Sequence, residues 1–269
     1  MVESLTVFET GYCTQLACMA LRGVGFAVCR FPARAWLIET AHGRWLWDTG
    51  YATHFFDCTR SGIFAWYRRV TPVHFDTSES VVSQLAARGL APRDIDAVIL
   101  SHFHADHIAG LRDMCGVPVW LSGVGWAATR TLRGIGALRR GFVPGLIPDG
   151  FETSIVAVET FERITLPPEL APFEHAYAAP GAGGALLIVE LPGHAAGHLG
   201  AFVATDSGWV MLASDAAWSP RSYREVIGPS RLAHAIMDDP PRYLDTLHRL
   251  QALHLRGNVR IHLTHEGAI

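Results

Sequence analysis

The sequence predicts an α/β fold in which two β-sheets pack face to face with helices on the outside. Three observations predict it. Short apolar runs of strand character recur in both halves of the 269-residue chain, helical periodicity appears between and after them, and metal-ligating side chains gather directly behind several of the strands. Strand ends are where α/β proteins place their chemistry.

In the first half, Leu5–Thr10, Ala35–Thr40 and Arg44–Asp48 read as strands. The stretch DTSESVVSQLAARGL predicts a helix, with Asp76 or Ser78 as its N-cap and Gly89 as its stop. Ala97–Leu100 is a short buried strand, and VPVWLS at 117–122 is another. In the second half strands are expected at 154–159, 185–191, 200–205 and 208–214. Tyr243, Leu244, Leu247, Leu250 and His254 recur at helical spacing, and VRIHLTH at 259–265 closes as a strand. No repeat, low-complexity tract or polar linker divides the chain, so residues 1–269 are expected to form one domain.

Composition removes several function classes. Hydrophobic residues make up 49% of the chain, ample for a sizeable core, yet no apolar run approaches the roughly 20 residues of a membrane span. The formal net charge is −3, every basic residue is Arg, and no long basic run marks a nucleic-acid groove. The densest cluster, Arg130, Arg133, Arg139 and Arg140, reads as the solvated side of a helix; the alternative is a docking point for an anionic substrate group. The start, MVESLTVFETGY, lacks the basic segment of a secretory signal. Cys13, Cys18, Cys29, Cys58 and Cys115 are odd in number and lack C-x-x-C spacing, so reduced thiols in a cytoplasmic protein are expected.

The chemistry concentrates in AVILSHFHADHIAGL, residues 97–111. His102, His104, Asp106 and His107 occupy six positions directly after a buried strand. Each needs a partner there or costs free energy. Imidazoles mixed with a carboxylate suit zinc, iron or manganese rather than ions that take only oxygen. Further ligands stand at other strand ends: His194 in PGHAAGH, Asp215 in MLASDAAW and His265 in HLTHEG. In the closing strand Ile261, Leu263 and His265 share parity, so His262 faces the other way and is the poorer ligand. His198 is expected to orient a ligand by a hydrogen bond instead of binding a metal, and Asp48, at another strand end, to support a ligand or serve as a structural carboxylate.

HFHADH, then PGHAAGH, a strand-end Asp215 and a terminal His265, together resemble the metallo-β-lactamase superfamily, and the early DTG at residues 48–50 fits as well. The resemblance implies an αββα sandwich and a centre of two divalent metal ions, zinc first, with iron or manganese as alternatives. It implies that His102, His104 and His194 hold one ion, that Asp106, His107 and His265 hold the other, and that Asp215 bridges them. It further implies a hydrolase using hydroxide generated at the pair, acting on a small-molecule ester. Within the superfamily, an Asp in place of Cys at the bridging position argues against a true β-lactamase. Glyoxalase II-like thioesterases add a helical region where only Glu266, Gly267, Ala268 and Ile269 follow here, and nucleases want a basic face. The pattern looks most like N-acyl homoserine lactone lactonases. Those carry a Tyr three residues after the bridging Asp where this chain has Trp218, whose indole donates a hydrogen bond but is not an acid. Trp218 is therefore grouped with Asp106 and Asp215 as a catalytic candidate. The alternatives are a thioesterase, a mononuclear iron sulfur dioxygenase, and a ligand-binding protein with little turnover.

Two segments are expected to wall an apolar pocket above the metals: residues 51–75, with Phe55, Phe56, Phe64, Trp66 and Tyr67, and residues 122–150, with Trp126, Leu132, Ile135, Leu138, Phe142, Leu146 and Ile147. The competing expectation is that they simply pack on the sandwich or form a homodimer contact.

Overall fold

The computed structural model describes residues 1–267 of the chain. One sheet contains β1 (Ser4–Leu16), β2 (Val28–Thr40), β3 (Gly43–Trp47), β4 (Val73–His74), β5 (Ala97–Ile99), β6 (Val119–Leu121) and β7 (Ile155–Ala157), in the order β4-β1-β2-β3-β5-β6-β7. The other contains β8 (Arg163–Thr165), β9 (His175–Ala178), β10 (Leu186–Glu190), β11 (Leu199–Thr205), β12 (Gly208–Ser214) and β13 (Val259–Leu263), in the order β13-β12-β11-β10-β9-β8. Both sheets are mixed. The β3-β5-β6-β7 side of the first is parallel, and β13 runs parallel to β12 beside an antiparallel remainder. Each half of the chain thus builds one sheet, as the distribution of strand runs predicts.

Strand alternation divides the apolar residues into two buried clusters. Trp36, Ile38, Trp45, Trp47, Ile99 and Trp120 of the first sheet share one with Leu186, Ile188, Val203, Val210 and Leu212 of the second, which makes it the layer between the sheets. Residues of opposite parity (Leu37, Leu46 and Val98; Leu187, Val189 and Met211) join the other cluster with the helices. Full burial of a side chain of this size stabilises by roughly 1.5–3 kcal/mol, so both faces of each sheet contribute to holding the sandwich. On the outer side of the second sheet lies the helix Pro240–Arg256. Asp239 caps it by accepting from the Arg242 N–H at 3.1 Å, and Gly257, at φ +72°, ends it. Its buried face is Tyr243, Thr246, Leu247, Leu250 and Leu253. Leu253 takes the place expected for His254, and Leu244 is largely exposed.

Other boundaries also differ. β1 and β2 extend well beyond their apolar cores, as a long hairpin with a register shift between Glu9 and Tyr12. The expected helix after Asp76 is a capped 3₁₀ turn, Thr77–Glu79, followed by the short helix Val81–Ala86. β4, β8 and β9 have no counterpart in the sequence reading, being two to four residues long. No helix among the described residues is long and apolar enough to cross a membrane.

Candidate metal centre

Each candidate ligand is delivered by the end of a structural element. His102 and His104 leave β5 in extended backbone, and the one-turn helix Ala105–Ile108 then swings Asp106 and His107 towards a neighbouring point. His194 sits in the turn between β10 and β11. Gly193 before it, at φ +123°, lies so close to the helix Pro240–Arg256 that an added Cβ would come within 2.1 Å of the Tyr243 nitrogen; only glycine permits this approach. Asp215 follows Ser214 at the end of β12. Ser214 is held at φ +46°, a left-handed conformation unusual for a side chain of its kind, and its Oγ accepts from the Trp47 indole at 2.9 Å. His265 lies in the turn beyond β13, which ends at Leu263. The expected strand to residue 265 is thus two residues too long. His265 is aimed by the turn and by its own hydrogen bond, Nδ1–H to the Pro32 carbonyl at 2.7 Å, while His262 faces Trp36 with ring centroids 5.0 Å apart.

Two clusters result, and Asp215 belongs to both. Donor atoms of His102, His104, His194 and Asp215 all lie within 4.8 Å of one another, as do those of Asp106, His107, Asp215 and His265. All of these side chains are buried. In the first cluster His194 Nε2 is 3.2 Å from His102 Nε2, 3.0 Å from His104 Nδ1 and 3.4 Å from Asp215 Oδ2. A tetrahedral site with zinc–nitrogen bonds of about 2.0–2.1 Å has ligand–ligand edges of about 3.3 Å. In the second, His265 Nε2 is 3.1 Å from Asp215 Oδ2 and 3.6 Å from Asp106 Oδ2; His107 Nε2 is 3.3 Å from Asp215 Oδ1 and 3.7 Å from Asp106 Oδ2. His107 Nε2 and Asp215 Oδ1 are buried without a hydrogen-bond partner among the described residues. Three imidazole nitrogens pointing at one spot, and buried donor atoms left without partners, fit cations at both points.

The surrounding hydrogen bonds fix which ring nitrogen faces inward. Asp48, fully buried at φ +59°, accepts from the Ser101 N–H at 2.8 Å, the Ser101 hydroxyl at 2.7 Å and His107 Nδ1 at 2.8 Å. The Ser101 oxygen, its proton spent on Asp48, accepts from His102 Nδ1 at 3.0 Å. His107 and His102 therefore turn their Nε2 atoms, not Nδ1, towards the centre. His198 donates through Nδ1 to the Leu191 carbonyl at 3.0 Å and accepts the Asp215 N–H at 3.3 Å, so it positions the shared carboxylate through its backbone. Asp48 thus lies against the candidate ligand His107, and His198 against the backbone of the candidate ligand Asp215. Ser101, Trp47 and the Pro32 carbonyl are absent from the sequence reading, because a serine, a core tryptophan and a main-chain oxygen carry no residue-type signal.

Burial and mutual repulsion set the charges. Burial pulls His104 down to about 4, and holds His102 and His194 well below the usual imidazole range with help from the neighbouring histidines. These rings present lone pairs at neutral pH without first losing a proton. Burial also opposes charge on His107 and His265, but the carboxylates outweigh it: Asp48, Asp106 and Asp215 hold His107 well up, and Asp215 and Asp106 raise His265. Burial would raise Asp215; His265 and His107 override it and keep the carboxylate ionised.

The centre opens onto a cavity of about 100 Å³ bounded by Cys13, Phe31, Tyr51, Tyr67, Trp218 and Ile236 together with His104, Asp106, Asp215 and His265. Trp218 lines it, but its indole N–H donates to Asp215 Oδ2 at 3.1 Å. From segment 51–75 Tyr51 and Tyr67 border the cavity; Phe55 is buried in the core, Phe56 and Phe64 pack against it, and Trp66 is exposed. From segment 122–150 Leu132 and Arg140 line a second cavity of about 140 Å³ on the other side of His104 and Ile236. Phe142 and Leu146 are core, Trp126 and Ile147 pack on it, and Ile135 is exposed. The β1–β2 hairpin, which the sequence reading treats only as sheet, adds Cys13, Gln15 and Phe31 to the wall of the first cavity. The arginine cluster does not converge. Arg130 approaches Glu152 at 3.8 Å, Arg133 bonds main-chain carbonyls, and Arg140 pairs with Asp238 at 3.1 Å.

Known proteins share this architecture. A probable metallo-hydrolase of Mycobacterium tuberculosis (strain ATCC 25618 / H37Rv) is 28% identical over 212 residues, 75% of this chain, and the chain spans 61% of the length of that relative. Among solved structures, an N-acyl homoserine lactone hydrolase with the product N-hexanoyl-L-homoserine bound at its catalytic metal centre superposes with a TM-score of 0.74 at 18% identity, covering 99% of this chain and 94% of that one. The dizinc quorum-quenching lactonase AidC gives 0.68 at 13% identity over 98% and 87% of the two chains. A probable metal-dependent hydrolase from Staphylococcus aureus gives 0.72 at 16% identity over 98% and 89%. These likenesses show the fold. The family model of the metallo-beta-lactamase superfamily matches residues 30–253, from β2 into the helix Pro240–Arg256 and with six of the seven candidate ligands inside it, and the chain belongs to that superfamily.

Proposed function

We propose that the protein hydrolyses a small ester-type substrate at a dinuclear metal centre, and that the substrate is a lactone with an apolar appendage. The observation that carries this reading is the pair of four-donor clusters joined through Asp215 and opening on one cavity. In it His102, His104 and His194 hold one ion, Asp106, His107 and His265 the other, and Asp215 contributes to both. Two such ions, zinc in this reading, would supply Lewis acidity for activating a water and polarising a carbonyl when bound. The chain's own part is to hold and orient. Asp48 and Ser101 fix the tautomers of His107 and His102, and His198 seats the Asp215 backbone. Asp106 and Asp215 offset part of the cationic charge. Phe31, Ile236 and Trp218 give the cavity apolar walls that exclude bulk water from the reacting bond.

The lactone hydrolases among the structural neighbours support the substrate class. The deciding experiment is metal analysis of the purified protein combined with a panel of lactones, linear esters and thioesters. Two equivalents of metal and hydrolysis of lactones in preference to thioesters is the expected result. One equivalent of iron with oxygen consumption would replace the hydrolase by a sulfur dioxygenase.

A further inference from the structure

The cavity over the metal centre holds few side chains able to donate a hydrogen bond to a substrate, and most are committed. The Trp218 indole donates to Asp215 Oδ2. The Gln15 amide donates to the Thr71 hydroxyl at 3.0 Å and to the Val70 carbonyl. The Tyr51 hydroxyl is spent on the Cys13 thiol. Tyr67 differs. Its ring is held edge-on against Phe55 with centroids 5.5 Å apart, it borders the cavity together with Asp106, Asp215 and His265, and no hydrogen bond within the described residues engages its hydroxyl. Phe55 is fully buried and itself packs edge-on against Tyr51 and Phe56, so the phenol is mounted on a rigid support.

Resting on the hydrolase reading above, we propose that the Tyr67 hydroxyl, and not the Trp218 indole, is the side-chain donor to the substrate's oxygen at the metal centre. A neutral phenol is suited to this. Burial raises its pKa above the ordinary phenol value, so at neutral pH it carries a proton to donate. The donor comes from the helix Ala65–Val70, whereas Trp218 follows β12, so the two side chains reach the one cavity from different elements. Thr71, on the same segment as Tyr67, is tied by Gln15 to the β1 edge, which fixes the end of the helix over the site.

The test uses Tyr67→Phe, which removes one oxygen from a partly buried ring and leaves its packing on Phe55 in place. Zinc content and melting temperature are expected to match the wild type. Two quantities are then read on the zinc-loaded proteins: binding of hexanoate, a plain carboxylate that offers the same oxygen chemistry without reacting, by calorimetry, and kcat/KM for lactones. Hexanoate affinity should fall about three- to tenfold. Lactone kcat/KM should fall about 10²-fold, as when one donor to a developing oxyanion is removed. Trp218→Phe should leave hexanoate affinity within twofold of wild type. Equal hexanoate affinity in wild type and Tyr67→Phe overturns the proposal, whatever the substrate proves to be. A lower affinity in Tyr67→Phe, with no ester or lactone hydrolysis by the wild type, keeps the donor and discards the reaction. No hexanoate binding to zinc-loaded wild type discards the donor as well.

Discussion

Asp48 and His107, fifty-nine positions apart, meet at 2.8 Å in a fully buried contact between the end of β3 and the ligand loop after β5. The carboxylate is placed by its own left-handed backbone and by an N–H···O bond from residue 48 to the Ile99 carbonyl at 2.8 Å. Parallel pairing of β3 with β5 therefore brings the carboxylate to the imidazole, and one sheet contact sets the orientation of a candidate metal ligand.

The consequence can be measured with Asp48→Asn. Asparagine tolerates the left-handed conformation, so the backbone survives, but one carboxylate oxygen becomes an amide that must face donors. His107 then loses the acceptor that pins its tautomer. Metal affinity at the cluster of Asp106, His107, Asp215 and His265 should weaken about 10–100-fold while the other cluster is affected less. Competition with a chromogenic chelator resolves the two sites. Unchanged affinity at both would show that Asp48 is structural only.

The shared carboxylate gives a sharper contrast. Asp215→Ala removes a donor from both clusters and should abolish binding at one ion and nearly all hydrolysis. His262→Ala touches neither cluster; it loses contact with Trp36 and Glu266 and should cost about 1 kcal/mol or less in stability, with metal content intact. Metal loss in His262→Ala, with retention in His265→Ala, would reverse the ligand assignment.

These contrasts also show what a sequence can disclose. HFHADH is legible because clustered imidazoles and carboxylates behind an apolar strand have no inexpensive structural use, and Asp215 and His265 are legible because each follows an apolar strand, although His265 is aimed by the turn beyond it. Alternation along β2, β10 and β12 likewise disclosed the layers. Tyr67 was not separable from Phe64 or Trp66, since a short helix of aromatic residues does not reveal which ring turns to the core, to solvent or to the site. The β1–β2 hairpin was truncated in the reading because its outer part, VCRFPAR, mixes Arg and Pro into the strand and breaks the apolar pattern. Ser101 had no signature at all; its role exists only once Asp48, His102 and His107 are folded around it.

Removing metal should reveal how much the fold depends on it. With no cation between them, the nitrogens of His102, His104 and His194 bring lone pairs together at 3.0–3.2 Å. Chelated protein should melt lower than the zinc-loaded form, and free zinc at about 100 times its dissociation constant should restore about 2.7 kcal/mol per site. Equal melting temperatures with and without chelator would argue that the clusters bind no ion in the folded state.

The last prediction concerns the support behind His104. Gly141 adopts φ +60°, and a Cβ there would fall 2.8 Å from His104 Cδ2; its carbonyl also accepts the Ala105 N–H at 3.0 Å. The residue thus clamps the ligand loop through its main chain while leaving room for the imidazole ring. Gly141→Ala introduces left-handed strain of about 1–2 kcal/mol and pushes on a ring whose Nδ1 must remain near His194. Two readouts separate these effects. Strain alone lowers the melting temperature of chelated and zinc-loaded protein equally. Displacement of His104 lowers zinc affinity at the cluster of His102, His104, His194 and Asp215 as well, so the zinc-induced rise in melting temperature shrinks. Both effects are expected, because the ring has the Gly141 backbone on one side and the His102 and His194 rings on the other, at centroid distances of 4.4 and 4.5 Å. A full zinc-induced rise in Gly141→Ala would mean that the loop yields around the added methyl and that the clamp does not set the ligand's position.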